Sequence, residues 1–428
     1  MRVSRRQFLR WFSAAMPLVG AACATRKPSL GSRTAGRVVV IGAGFGGATA
    51  AKYLRMWSPD VEVALVERNS EFVSCPMSNR VLAGVIELRD LALDYGWLVV
   101  KYGVRMVRDA TVAIDPVGQQ VRLAAGGTLK YDRLIISPGV DFLYDDIPGL
   151  RGNPAAQDRV PHAWKAGPQT VALRKSLEAM RDGGIYAITV PKAPYRCPAA
   201  PYERACQVAF YFKARKPRSK ILILDANDEV QSEKALFAAT WAERYGAMVE
   251  YRPGDALLGI DPSSMTAKME FENVKADVLN VVPPQRAARI ALDSGLADVT
   301  GRWCEVDFLT YESKAVRNVH VLGDAIQGAP LMPKSGHIAN QQAKVCAAAV
   351  ASLLHGDRPD PRPMLSNACY SFVTDKEAFH SASVFAYNPR TRTMEVVPGT
   401  DGGSAAPSEL EGRYAQSWGL NIWDDMLA

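Results

Sequence analysis

Residues 36–54 read GRVVVIGAGFGGATAAKYL, and this stretch decides the fold. Val38 to Ile41 form a continuous apolar run of strand length, and the glycines that follow open an Ala-rich helix. In such a β-turn-α unit Gly42 permits the tight turn, Gly44 lets the backbone approach a pyrophosphate, and Gly47 lets the helix pack closely on the strand. The helix N-terminus then presents its partial positive charge to the phosphates. A second strand, VEVALVE, ends at Glu67, twenty residues beyond Gly47, where an acidic side chain reaches the adenosine ribose hydroxyls. Strand, helix, second strand and terminal acid in register predict dinucleotide binding.

One Gly-rich loop serves FAD or NAD equally, so the choice rests on later segments. VRNVHVLGDA, residues 316–325, predicts a buried strand at Val319 to Leu322 that delivers Gly323 and Asp324 to its carboxyl end. There the carboxylate can accept a hydrogen bond from a ribityl hydroxyl of a flavin. YDRLIISPGV, residues 131–140, resembles the strand-and-glycine stretch at which two-dinucleotide flavoproteins leave their FAD domain. After Asp324, MPKSGHIANQQAKVCAAAVASLLHG predicts a turn opening a helix that stops near Gly356. The N-terminus of that helix should stabilise negative charge at the N1 and C2 carbonyl end of a reduced flavin, and Lys334 should add to it. Cys346, inside the apolar run, reads as core.

Between about Pro148 and Pro283 the pattern is again αβ: GGIYAITV, a helix around Tyr202 to Lys213, KILILDAN, and a helix around Glu233 to Tyr245. A phosphate loop should follow the first of these strands. Instead the chain reads PKAPYRCPAAPYERA, with four prolines and no glycine. Proline removes backbone donors and stiffens the loop, so a degenerate NAD-type domain that binds no NAD(P)H is expected.

Hydrophobic residues at 48% and charged residues at 22% are ordinary for a globular chain of 428 residues. Arg2, Arg5, Arg6 and Arg10 supply four of the seven net positive charges, and the remainder is too weak to argue for nucleic acid. SRRQFLR, an apolar stretch from Trp11 to Ala22, and Ala22-Cys23-Ala24 read as a twin-arginine signal peptide over residues 1–24, with delivery to the periplasm. The apolar stretch is too short to cross a bilayer, and no membrane insertion is expected. The five histidines are scattered, with no metal-ligand spacing. Neither does a C-x-x-C-H motif occur, so no haem is expected on this chain.

These residues resemble the flavoprotein part of flavocytochrome c sulfide dehydrogenase, a family related to the sulfide:quinone reductases. The resemblance rests on GAGFGG, on Cys75 in SCPMSN, on Cys197 in YRCPAAPYERA, on LGDA followed by MPKSG, and on Cys369 in NACYS. It implies FAD held covalently through a thioether at Cys75, although Pro76 replaces a residue that is often aromatic. It also implies a redox-active disulfide between Cys197 and Cys369, inorganic sulfide as substrate and a c-type cytochrome partner. A sulfide:quinone reductase and a non-catalytic electron-relay flavoprotein are the alternatives. The C-terminal RYAQSWGLNIWDDMLA, with Asp424 and Asp425, does not suit the anionic bilayer a quinone reductase would face. Glu203, six residues after Cys197, reads as a solvated helix carboxylate, with a proton shuttle as the other reading. Cys206 and Cys304 receive no role.

The expected architecture is α/β, with two Rossmann-like dinucleotide-binding domains and a small C-terminal α+β interface domain. Residues 36–148 and 284–360 form a discontinuous FAD domain, 149–283 the NAD-type domain, and 361–428 the C-terminal domain.

Overall fold

The Gly-rich loop lies at the carboxyl edge of a five-stranded parallel sheet. Its strands run in the order Val319–Val321, Arg133–Ile136, Gly36–Ile41, Val61–Val66, Arg105–Val107. The computed structural model describes residues 34–297 and 301–428, so the expected signal segment lies outside the described residues. Val38, Val39, Val40 and Ile41 are all buried, as a central parallel strand covered on both faces requires. The three segments that pointed to a flavin are neighbours here: strand Arg133–Ile136 separates the Gly-rich strand from Val319–Val321.

Two helices that pack on each other, Phe45–Trp57 and Gly336–His355, begin at this edge. Ser335 caps the second, its Oγ accepting from the Ile338 amide at 3.1 Å, which satisfies one of the orphan donors of a first turn. Gly356 ends it in a left-handed conformation.

A second parallel sheet has the order Val249–Arg252, Lys220–Asp225, Ile185–Val190, Val278–Val281. Helix Ala200–Arg215 follows its strand Ile185–Val190. The helix expected around 233–245 is regular only over Lys234–Thr240, and Trp241–Tyr245 forms a wider turn. Both Trp241 and Tyr245 are drawn into the core, and the Tyr245 hydroxyl donates to the Val373 carbonyl.

The C-terminal part is α+β. Strand Met364–Phe372 pairs antiparallel with Ala378–Asn388, which pairs with Thr393–Val396, and helix Glu409–Leu427 closes the chain. Phe379 meets Phe237 edge to face at 4.9 Å, and Arg244 grips Glu377 with two hydrogen bonds, tying this layer to the second sheet. Trp423 donates to Ser74 Oγ at 3.0 Å, which ties it to the segment after Glu67. Asp425 accepts from Tyr53 and Asn340 and pairs with Lys344, so this terminal acid serves internal packing. Among the described residues no helix is long and apolar enough to cross a membrane.

Candidate active site

A cleft of about 1790 Å³ opens along the carboxyl edges of both sheets and under the C-terminal strands. Of the residues singled out in the sequence, Gly42, Gly44, Glu67, Cys75, Cys197, Gly323, Asp324, Lys334 and Cys369 line it. Gly47 does not. A Cβ on Gly47 would stand 1.8 Å from the Gly42 carbonyl oxygen, so this glycine serves the close packing of helix on turn. Gly42 has φ +87°, which only glycine adopts freely, whereas a Cβ on Gly44 would meet no protein atom within 4 Å. The space at Gly44 is therefore kept for something other than protein.

Glu67 is held in place by the loop it serves. Its Oε2 accepts from the Ala43 amide at 3.0 Å, and Oε1 accepts from the backbone and side chain of Asn69. Asp324 is enclosed beneath the cleft. Burial raises its pKa, partly offset by Arg196 and Lys334, and its Oδ1 is buried with no hydrogen-bond partner. An unpaired buried carboxylate oxygen costs about 1–3 kcal/mol, which a donor such as a ribityl hydroxyl would recover. The open space at Gly44 and this unpaired acceptor fit FAD.

Lys334 joins the two halves of the site. Its Nζ donates to the Asp324 and Ile326 carbonyls and lies 3.7 Å from the centre of the Trp303 ring, while its own carbonyl accepts from the Cys197 amide at 2.8 Å. Burial lowers its pKa to about 8, with Asp324 opposing the shift. Its charge thus braces the Gly323–Ala325 turn, a contact with no signal in the sequence.

The Pro-rich loop between strand Ile185–Val190 and helix Ala200–Arg215 carries Cys197 into the cleft. Cys197 takes φ +60°, a strained conformation for a non-glycine residue that is held here by the hydrogen bond its amide donates to the Lys334 carbonyl. Cys369 comes from the middle of strand Met364–Phe372, opposite Ser381. Asn367 Nδ2 donates to its sulfur at 3.5 Å, and Asn367 Oδ1 accepts from Ser335 Oγ at 2.9 Å, linking Cys369 to the helix cap. Desolvation, then the charge of Cys369 and that of Glu203, push the Cys197 thiol up. Desolvation and then Glu233 push Cys369 up to about 11. Two cysteines that lie 172 positions apart in the chain line one cleft, and in this structure they are not bonded to each other.

Glu203 corrects the expectation of a solvated carboxylate. It is 8% exposed and lines the cleft. Oε2 accepts from Asn79 Nδ2 at 2.7 Å and Oε1 from the Phe372 amide at 3.0 Å. Burial raises its pKa, and the Phe372 amide, Asn79, Arg204 and Arg80 pull it back. The first turn of a helix reads as surface in a sequence; here it is covered by the C-terminal strand, which only the tertiary fold supplies. Cys206 and Cys346 are both fully buried, the latter as expected.

Near Cys75 the chain brings two donors to one sulfur. The Ala166 amide lies 3.4 Å and Arg196 Nη2 3.6 Å from Sγ. On the NAD-type side, the Asp225 carboxylate at the end of its strand is already engaged, accepting from the hydroxyls of Tyr202 and Tyr251 and from Asn227.

Comparison with known proteins agrees with this arrangement. Residues 170–283 match the family model for the central part of the sulfide dehydrogenase [flavocytochrome c] flavoprotein chain, and residues 361–427 match flavocytochrome c sulphide dehydrogenase, flavin-binding. Residues 36–173 match pyridine nucleotide-disulphide oxidoreductase. The sulfide dehydrogenase flavoprotein chain of Chlorobaculum thiosulfatiphilum is 60% identical over 45 residues, 10% of this chain and 94% of that sequence. The mitochondrial sulfide:quinone oxidoreductase of Mus musculus is 26% identical over 306 residues, 67% of this chain and 65% of that protein. The chain thus spans about 65% of the length of the mouse protein and of its Dictyostelium discoideum counterpart. In fold, the sulfide:quinone oxidoreductase of Aquifex aeolicus superposes with a TM-score of 0.71 at 17% identity, over 91% of both chains. With its cysteines, FAD cleft and C-terminal cover in these places, the chain belongs to the flavoprotein chains of the flavocytochrome c sulfide dehydrogenase family.

Proposed function

We propose that this chain oxidises sulfide through a Cys197–Cys369 disulfide and FAD, and passes the electrons to a c-type cytochrome on another chain. The observation that carries the reading is the convergence of Cys197, Cys369 and buried Glu203 on the cleft that holds the Gly-rich loop. Hydrosulfide attacks one sulfur of the disulfide: an S–S bond forms to the incoming sulfur, the internal S–S bond breaks, and the other cysteine leaves as a thiolate. Glu203, with its raised pKa and its place between helix Ala200–Arg215 and strand Met364–Phe372, exchanges the proton at these sulfurs. The persulfide and the thiolate together hold the electron pair, which is released when they close to a trisulfide between Cys197 and Cys369; FAD bound here would supply the acceptor for that pair and a donor of single electrons. Cys75 would attach it covalently, Asp324 and Glu67 would hold its sugars, and the start of helix Gly336–His355 would supply partial positive charge to its ring.

NAD(P)H is not the donor. The loop after strand Ile185–Val190 carries prolines where a phosphate nest needs glycines. The likeness to sulfide:quinone oxidoreductases favours a quinone as the second candidate acceptor; following flavin reoxidation with cytochrome c and with a soluble quinone separates the two. Arg5 and Arg6 direct export to the periplasm, a reading refuted if their replacement by Lys leaves export intact.

Cys197→Ser and Cys369→Ser test the chemistry. Each should give a folded yellow protein that dithionite bleaches and sulfide does not. Sulfide oxidation by Cys197→Ser at the wild-type rate would overturn the mechanism.

A further inference from the structure

The sulfur of Cys75 is not simply exposed to the cleft. It lies on the first sheet's side of the cleft, in the segment after Glu67, and both of its hydrogen-bond donors come from the far side, the Ala166 amide at 3.4 Å and Arg196 Nη2 at 3.6 Å. Arg196 is anchored by its backbone on both edges: its amide donates to Gln285 Oε1 at 3.0 Å, and its carbonyl accepts from Trp164 Nε1 at 2.9 Å. The guanidinium also donates to the Trp164 carbonyl. These contacts hold the guanidinium beside Cys75. Burial opposes its charge, yet Cys75, Asp324 and Cys197 outweigh burial and hold Arg196 above its ordinary pKa, so it remains a cation throughout.

Thiolates are the reactive form of cysteine, and a neighbouring guanidinium favours them. We propose that Arg196 is the residue that drives attachment of FAD to Cys75, by steadying negative charge on the sulfur as it attacks the 8α carbon of the flavin. The inference rests on the reading of Cys75 as the attachment point. In the net reaction the Cys75 S–H bond and one C–H bond of the 8α methyl break, an S–C bond forms, and the two protons and two electrons set free end on the flavin ring. Dioxygen then removes them and leaves as hydrogen peroxide. Arg196 thus gives the Pro-rich loop a second task beside that of Cys197: the same turn presents the thiol for sulfide and the cation for cofactor attachment.

The experiment follows acid-stable flavin over time after FAD is added to full-length apoprotein, for wild type, Arg196→Gln, Arg196→Lys and Cys75→Ala. Flavin bound before acid treatment is measured in parallel. Arg196→Gln should bind FAD and attach it about ten- to a hundredfold more slowly, as loss of a charge-assisted contact implies, and Arg196→Lys should fall between Gln and wild type. Attachment by Arg196→Gln at the wild-type rate overturns the proposal. So does equal impairment of Gln and Lys, which would make shape rather than charge the cause, or failure of both to bind FAD, which would make Arg196 a binding residue. Wild-type protein with no acid-stable flavin, or Cys75→Ala that retains it, refutes the Cys75 reading itself and is distinguished from failure of the Arg196 role.

Discussion

Glu203→Gln exchanges one oxygen for nitrogen and leaves the volume of the side chain unchanged, so it isolates hydrogen-bond polarity in the site. Both carboxylate oxygens accept, one from the Phe372 amide at 3.0 Å and one from Asn79 Nδ2 at 2.7 Å. The backbone donor cannot reverse. Asn79 cannot flip either, because its Oδ1 accepts from Arg204 Nε at 2.9 Å and its Nδ2 also donates to the Ala200 carbonyl. Arg204 is in turn fixed by the His162 and Ala163 carbonyls and Asn280 Oδ1. Whichever way the introduced carboxamide turns, its nitrogen meets a donor, and one buried contact is lost. The cost should be about 1–3 kcal/mol, read as a lower denaturant midpoint at unchanged slope, together with slower bleaching of the flavin by sulfide. Stability within about 0.5 kcal/mol of wild type, the range of a neutral surface change, would show that the network re-forms and that its polarity is not fixed as argued.

Three further outcomes are expected. Gly44→Leu should leave thermal stability of the apoprotein nearly unchanged, since no protein atom lies within 4 Å of its Cβ, while abolishing the yellow colour; Gly47→Ala, with its Cβ 1.8 Å from a carbonyl oxygen, should lower the melting temperature. The Glu203 carboxyl has a raised pKa in the folded protein, so the stability it contributes through protonation is complete below its unfolded value of about 4.3 and is lost as pH rises through the folded value. The fall in wild-type stability over that window should be shallower in Glu203→Gln, and parallel curves for the two proteins would contradict the shift. NADH should reduce the flavin far more slowly than sulfide in stopped flow, and rapid bleaching by NADH would revive a nucleotide donor.

How much of this could be read from the chain depended on whether the signal was local. A dinucleotide-binding turn is built within some thirty consecutive residues, so Gly42, Gly44, Gly47 and Glu67 declare it by spacing alone, and the strands at Val38, Leu134 and Val319 declare themselves as apolar runs. The same holds for the Pro-rich stretch after strand Ile185–Val190, since Pro191, Pro194 and Pro198 in one loop and Pro201 at the start of the next helix are a local fact. What the tertiary structure decided is what forms between segments distant in sequence. Glu203 and Phe372, or Arg196 and Cys75, lie more than a hundred positions apart, and no periodicity records that one will cover or face the other. Burial is the physical reason: Glu203 becomes a raised carboxyl and Asp324 an unpaired acceptor only when other elements exclude water from them. The residue types of the site could be named from the sequence, but their chemical states come from the walls that the fold closes around them.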